Sequence, residues 1–343
     1  MSETTARKIV TVLEPEDEYT HEPDAAENYN ESMYLNAFDL GQEVGGWFRL
    51  GNRVNQGYAE LSVCVYLPGD RVGFTFARPS IETNEKMDAG GLSIEVVEPF
   101  QHLKVRYQGT VCLLDEPRQM ADPRTAFKDN PWVECEVDLD YRGWSPMYGG
   151  KPQYEDGTEL EIDPETSFAK AHYEQHCRVT GSIRVGDEVL DIDGLGLRDK
   201  SWGPRHWQAI EWYRWIPLTF APDATPQAMM ISIVGGKPGG MVLERGEYHL
   251  IRDCTIESDW DEDRYQTAMR CTVTTDHDTY EVTGEVISLI PLRNRRTDPD
   301  GNELLTRITE AMTRFECRGH KGIGMSEYLD QIIDGEPQGP DVR

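Results

Sequence analysis

The stretch Gly194-Leu195-Gly196-Leu197-Arg198-Asp199-Lys200-Ser201-Trp202-Gly203-Pro204-Arg205-His206-Trp207 sets two Arg, an Asp, a His, two Trp and three Gly close together. Before it, Val189-Leu190-Asp191-Ile192-Asp193 alternates apolar and acidic residues, the pattern of a strand buried on one face. After it, Ile210 to Phe220 is rich in aromatic residues and reads as another strand. The motif is therefore expected to be a strand–loop–strand corner. Ordinary surface turns use Gly, Pro, Asn, Asp and Ser. They have little use for Trp202, Trp207 or the potential ion-pair partners Arg198, Asp199 and Arg205. Either these side chains converge on a pocket, or they clamp a buried corner.

Outward from the motif, strand follows strand. Tyr58 to Leu67 alternates and stops at the turn Pro68-Gly69-Asp70; Arg71 to Phe76, Leu92 to Val97 and Leu103 to Leu114 come next. Beyond the motif, Gln227 to Val234, Tyr265 to Thr275, Thr279 to Leu289 and Ile308 to Arg318 continue the series. Short, evenly spaced strands with turn residues between them indicate an all-β barrel or sandwich. Residues 115–157 break the rhythm, and Gly143 to Gly157 reads as a long loop serving as a lid or a connection. Helical spacing appears over Pro164 to His176, with Asp163 placed to cap it. The expected architecture is all-β with few short helices: a loose acidic arm over 1–30, one β-domain over 31–165, and a second over 166–335 that carries the motif.

The chain has 343 residues, enough for one large domain or two ordinary ones. Its formal net charge of -28 opposes binding to nucleic-acid phosphate or an anionic membrane surface. No apolar run approaches the ~20 residues of a membrane span, and the polar N-terminal stretch lacks the apolar core of a signal peptide. No nucleic acid and no membrane insertion are expected, and the cytoplasm is the expected compartment. The seven cysteines stand singly with no C-x-x-C pair, which fits free thiols better than disulfides or zinc. Phosphate-binding, dinucleotide-binding, serine-hydrolase and zincin motifs do not occur. Neither a cofactor nor a metal is expected, so any chemistry would rest on side chains. The partner in view is a hydrophobic small molecule, and an oligomer is compatible with the sequence.

Three further stretches carry candidate residues. Ala171-His172-Tyr173-Glu174-Gln175-His176 would put His172 and His176 on one face of a helix, or His172, Glu174 and His176 on one face of a strand. Glu310 and Glu327 stand in the late strands Thr309 to Arg318 and Gly324 to Tyr328 as secondary candidates. In Asn30-Glu31-Ser32-Met33-Tyr34-Leu35-Asn36, Glu31, Tyr34 and Asn36 could reach a pocket or cap the first strand.

The Gly-Leu-Gly-Leu-Arg-Asp-Lys-Ser-Trp-Gly-Pro-Arg run resembles the signature of a calycin-like superfamily. That group includes carotenoid 1,2-hydratases (hydroxyneurosporene synthases), AttH-like proteins and fungal lipocalin-like Diels–Alderases. The similarity is greatest to its two-domain bacterial members of unknown function. Glu31–Tyr34, Ala171–Gln175, Arg198–Gly203 and Gly322–Tyr328 occur in the same order as their counterparts there. The resemblance implies two lipocalin-like β-barrels packed side by side with a pocket near their interface. It also implies a hydratase, dehydratase, isomerase or cyclase acting on an apolar, terpenoid- or lipid-like molecule, the alternative being a binding protein without chemistry. The hydratases' proposed proton donor falls on Asp199, with His172, Tyr173, Glu174 and Arg205 as catalytic candidates. Glu31, Tyr34, Gln175, Arg198, Trp202, Trp207, Trp212 and Glu310 are candidates for substrate binding. Lys200 departs from the His common at this place in relatives. Protonating an alkene needs a neutral carboxylic acid, which an apolar wall of Trp202, Trp207, Trp212 and Tyr213 would favour and a neighbouring Arg would oppose.

Overall fold

The computed structural model describes residues 8–160, 169–205, 210–297, 301 and 303–339. The first barrel is built from Tyr29–Asp39 (β1), Val44–Arg53 (β2), Tyr58–Leu67 (β3), Arg71–Ala77 (β4), His102–Leu114 (β5), Trp132–Gly143 (β6), Ala171–Val185 (β7) and Glu188–Pro204 (β8). Each strand pairs antiparallel with the next, and β8 returns to β1, closing the ring. The second barrel repeats the scheme with Trp212–Thr219 (β9), Ala228–Val234 (β10), Lys237–Glu244 (β11), Glu247–Trp260 (β12), Gln266–Thr275 (β13), Thr279–Thr297 (β14), Glu303–Cys317 (β15) and His320–Ile333 (β16). There β16 pairs with β9 to close it. Both are eight-stranded up-and-down barrels, and the fold is that of two lipocalin-like units. No helix among the described residues is long and apolar enough to cross a membrane.

The chain changes barrels between Pro204 and Trp212, not near residue 165. The strands up to Gly143 supply only part of the first ring, so β7 and β8, with the motif, are needed to close it. The irregular stretch before them is an excursion from the same barrel. It contains the helix Pro123–Asp129 and the strand Tyr148–Tyr154, which lies within the expected loop and pairs with the start of β7. The helix expected over Pro164 to His176 is not found: residues 161–168 lie outside the described residues, and from Ala171 the chain is strand. Pairing on both edges of β7 overrides the local spacing.

Residues 8–30, expected as a loose arm, are part of the fold. Ile9–Val12 adds an edge strand to Tyr148–Tyr154, and Pro15–Glu18 forms a 3-10 turn with Glu18 buried. Inward side chains of the first barrel, such as Met33, Leu35, Leu50, Val63 and Val179, form one core. The second barrel has its own, with Ile216, Leu218, Met229, Val242 and Phe315. A third apolar cluster joins outward residues of both, including Tyr34, Trp47, Phe74, Ile290, Met312 and Met325. The first barrel thus has strands buried on both faces: β1 is buried at every position.

Candidate functional site in the seam between the barrels

The site begins with the parity of β7 and β8. Leu190, Ile192, Arg198, Lys200 and Trp202 share one face of β8, and the alternation puts Leu197, Asp199 and Ser201 on the other. In the register of β7 on β8, Glu174 faces Asp199 and His172 faces Ser201. His172, Glu174, Asp199 and Ser201 therefore form a polar patch on the outer wall of the first barrel, turned toward the second. Gly196 permits the close packing of β8 on β1: a Cβ there would lie 1.9 Å from the Asn36 carbonyl oxygen.

Between the two outer walls lies a cavity of about 610 Å³. Trp47, Phe74 and Phe127 from the first barrel and Trp215, Leu292 and Ile308 from the second give it apolar sides. His172 and Asp199 open into it, as do Tyr34, Arg49, Arg205, Tyr213, Glu310 and Glu327. His172 Nε2 hydrogen-bonds Asp199 Oδ2 and lies 3.9 Å from Glu174 Oε1. Trp215 Nε1, reaching across from the second barrel, donates to the same Glu174 oxygen at 2.8 Å. Glu174 Oε2 is buried without a hydrogen-bond partner among the described residues.

The electrostatics follow from enclosure and charge. Burial works against a charged His172, but Asp199 and Glu174 outweigh it and raise the imidazole to about 9. The 45 % of the His172 side chain that is accessible faces the cavity. Burial, reinforced by Asp199, pushes Glu174 up to about 7 against the pull of His172 and Trp215. Arg205 donates to Ser201 Oγ at 2.6 Å. Burial and the neighbouring Arg49 bring its guanidinium down to about 9, and it acts on Asp199 through space. Glu60 holds three guanidiniums within 3.5 Å, those of Arg49, Arg53 and Arg78. Together they outweigh burial and lower its carboxyl. The donor atoms of His172, Glu174 and Asp199 lie within 4.8 Å of one another, a nitrogen and two carboxylate oxygens that could also hold a divalent cation.

A family model described as a domain of unknown function, DUF7064, matches residues 14–332. The chain belongs to the DUF7064 family. No curated protein sequence matches it. Among solved structures it is similar to an AttH candidate from Nitrosomonas europaea, at 12 % identity and a TM-score of 0.54, over 90 % of this chain and 94 % of that one. It is also similar to CghA crystallised with Sch210972, at 10 % identity and a TM-score of 0.50, over 94 % and 98 % of the two chains. At such identities the likeness is one of fold.

Within this DUF7064 chain the expected site residues divide between two places. His172, Asp199, Arg205, Tyr34 and Glu310 line the cavity, and Glu174 stands directly behind His172. Tyr173, Gln175, Arg198, Trp202 and Glu31 do not; their partners lie around the Pro15–Glu18 turn and its neighbouring loops. Tyr173 Oη donates to Glu18 Oε1 at 2.8 Å and Arg198 Nη1 to Glu18 Oε2 at 2.6 Å. Gln175 Nε2 donates to the carbonyls of Ser145 and Phe100. Trp202 stacks on His21 with ring centroids 4.0 Å apart. Glu31 pairs with Lys200 at 2.9 Å. Strand alternation separates these residues from Asp199, so the clamp and the pocket both exist, on opposite faces of one strand. Trp212 sits off the cavity wall beneath the Arg214 guanidinium, and Trp207 lies outside the described residues. Sequence reading missed Trp47, Arg49, Glu60 and Trp215 as cavity residues. A usable signal was Trp47-Phe48-Arg49, where Trp and Arg share one strand face and Phe takes the other.

Proposed function

We propose that this protein is an acid–base enzyme acting on an apolar small molecule held between its barrels, with reactions of the hydration, dehydration, isomerisation or cyclisation type in view. The observation that carries the reading is the His172–Asp199 pair opening into a cavity whose other walls are largely aromatic and aliphatic. A largely apolar cleft of this size suits a hydrophobic ligand, and a His–carboxylate pair placed in it can move a proton to or from that ligand. The signature's resemblance to carotenoid 1,2-hydratases supports the same reading. So does the existence of a barrel-pair structure, CghA, crystallised with Sch210972.

The chemistry differs from the simplest transfer of the hydratase idea. Asp199 is engaged by an imidazole that keeps its proton up to about pH 9, so the pair works at neutral pH as an imidazolium held by a carboxylate. Asp199 then orients His172 and balances its charge. His172 can stabilise a developing negative charge or lend a proton, and Asp199 can take one from an attacking water. Aromatic faces such as Trp47 and Trp215 can stabilise a developing carbocation. Lys200 faces away from Asp199, so its departure from the relatives' His leaves the cavity side of the strand untouched.

The apolar walls alone also suit a carrier without chemistry. Identification by mass spectrometry of small molecules that co-purify with the protein supplies the test compounds. Asp199→Asn and His172→Gln are expected to bind them within a few-fold of the parent, while turnover falls by roughly 10²–10⁴-fold. Unchanged turnover in both variants would take the chemistry away from this pair, and no turnover with tight binding in the parent would leave a binding protein.

A further inference from the structure

The second barrel presents its own ionisable pair to the cavity. Glu310 on β15 and Glu327 on β16 are directly opposite one another in the antiparallel register, with side chains on the outer face. Both are buried and both line the cavity. Direct cross-strand partners on one face put the two carboxyls side by side. Tyr213 Oη donates to Glu327 Oε1, and Glu310 Oε2 is buried without a hydrogen-bond partner among the described residues. Two carboxylates so close, beside aromatic walls, cannot both be charged without large repulsion. A single shared proton removes the repulsion and leaves one oxygen free to engage a ligand.

We propose that Glu310 and Glu327 form a proton-sharing carboxyl pair that acts as the acid of the cavity, offering its proton to an oxygen or alkene carbon of the bound ligand. This rests on reading the cavity as a ligand site, and it assigns the neutral acid to the second barrel, with His172–Asp199 as the charged partner on the first. The ligand class narrows accordingly to hydrophobic molecules bearing a carbonyl, hydroxyl or alkene within reach of that wall. In the step itself the carboxyl O–H bond breaks and an O–H or C–H bond forms on the ligand. The pair is left as two carboxylates until the proton shed by an attacking water or an adjacent C–H returns to it. No oxidant or reductant takes part.

The surrounding groups fit this role. Burial, then Glu327, raises Glu310 well above the ordinary carboxyl range. Burial, with Asp199 adding to it, lifts Glu327 to about 7 against the Tyr213 hydrogen bond and the Arg49 charge. The other titratable groups facing the pair are Tyr34 on β1 and Cys64 and Tyr66 on β3, and burial raises all three, which keeps them neutral. Arg49, the nearest cation, already shares Glu60 with Arg53 and Arg78.

Infrared spectroscopy tests the proposal without a known substrate. The parent protein at neutral pH should show a protonated-carboxyl C=O band that shifts when the glutamates are isotopically labelled. The band should change frequency in both Glu310→Gln and Glu327→Gln, because each removes the proton's second partner, and drop to what Glu174 contributes in the double variant. In the parent it should persist as pH rises past 7, because burial and Glu327 hold the Glu310 carboxyl well above the ordinary range. A band that survives both substitutions unshifted and disappears only in Glu174→Gln belongs to Glu174 and overturns the proposal, as does its absence from the labelled parent. Prodan, a hydrophobic dye whose emission reports hydrogen bonding to its carbonyl, tests donation to a ligand. Its bound emission should depend on pH across neutrality in the parent and lose that dependence in the Glu310→Gln/Glu327→Gln double variant. Dependence that persists there overturns the donor role. These outcomes are independent of turnover, so a failed Asp199→Asn test would remove the His172–Asp199 pair from the chemistry and leave the carboxyl pair standing.

Discussion

Lys200 shows how much one residue's strand face decides. It sits next to Asp199 in sequence, yet its ammonium lies with Glu31 and the backbone carbonyl of Asp17. Burial opposes charge on both partners. Glu31 nevertheless comes down to about 2, because His21 and Lys200 both favour its carboxylate. Lys200 is lowered, because its loss of water outweighs Glu31, Glu18 and Asp17. The two shifts point in opposite directions for stability, so the pair's net worth is smaller than the Glu31 shift alone suggests. Breaking it is another matter. Lys200→Met should cost about 1–3 kcal/mol by removing one charged partner of a buried carboxylate that keeps His21, Tyr29 and Asn84, measured by chemical denaturation. Adding Glu31→Gln should recover part of that loss, and binding in the cavity should change little in either variant. The Glu31 contribution has a definite sign: it is present above about pH 4.5 and lost as pH falls toward about 2.

At the scale of elements, the strands legible in the sequence were those with one wet face. Glu188 to Asp193 alternates because Leu190 and Ile192 point inward while Val189 and Asp191 are exposed. Ala171 to Cys177 lacks a clean two-residue period, because His172, Glu174 and His176 point into the seam and Tyr173, Gln175 and Cys177 into the barrel. Helical spacing there reflected burial on both sides, not a helix. The same double burial hid the divide between barrels, since nothing local marks β7 and β8 as closing strands of the first ring. Asp199 and His172 were legible as a candidate site because charged and aromatic types crowd around them, and both line the cavity. Trp47 and Arg49 were not, because only pairing brings β2 to the cavity. The glycines of the motif have a plain task in this packing. Gly196→Ala should destabilise by more than about 2 kcal/mol, because its Cβ would collide with the Asn36 carbonyl oxygen where β8 meets β1. A melting curve checks it: an unchanged midpoint would mean that β8 and β1 can move apart at no cost.

On the scale of the whole molecule, polar contacts cross the seam. Trp215 donates to Glu174, Tyr66 Oη donates to the Glu310 carbonyl at 3.1 Å, and Arg314 pairs with Glu43. Trp215→Phe removes one such contact and leaves Glu174 more nearly alone. It should cost about 1–3 kcal/mol for the unpaired buried oxygen. It should also move the Glu174 titration above its present value of about 7, since the lost hydrogen bond is one of the forces holding it down. Infrared titration of labelled protein reads that shift directly; a downward movement would mean that Trp215 does not serve as the carboxylate's donor.

Among the described residues the chamber is walled by outward-pointing strand side chains, by the Pro117–Ala121 turn and by the Pro123–Asp129 helix, so neither barrel's filling supplies its floor. A change of occupant then needs no renovation of either interior: residues such as Phe74, Phe127, Leu292 and Ile308 can be exchanged for larger or smaller ones while both cylinders stay as they are. Under the proposed reading, a handful of such replacements would reshape the chamber for a different guest while His172, Asp199, Glu310 and Glu327 keep their places on the two facing walls.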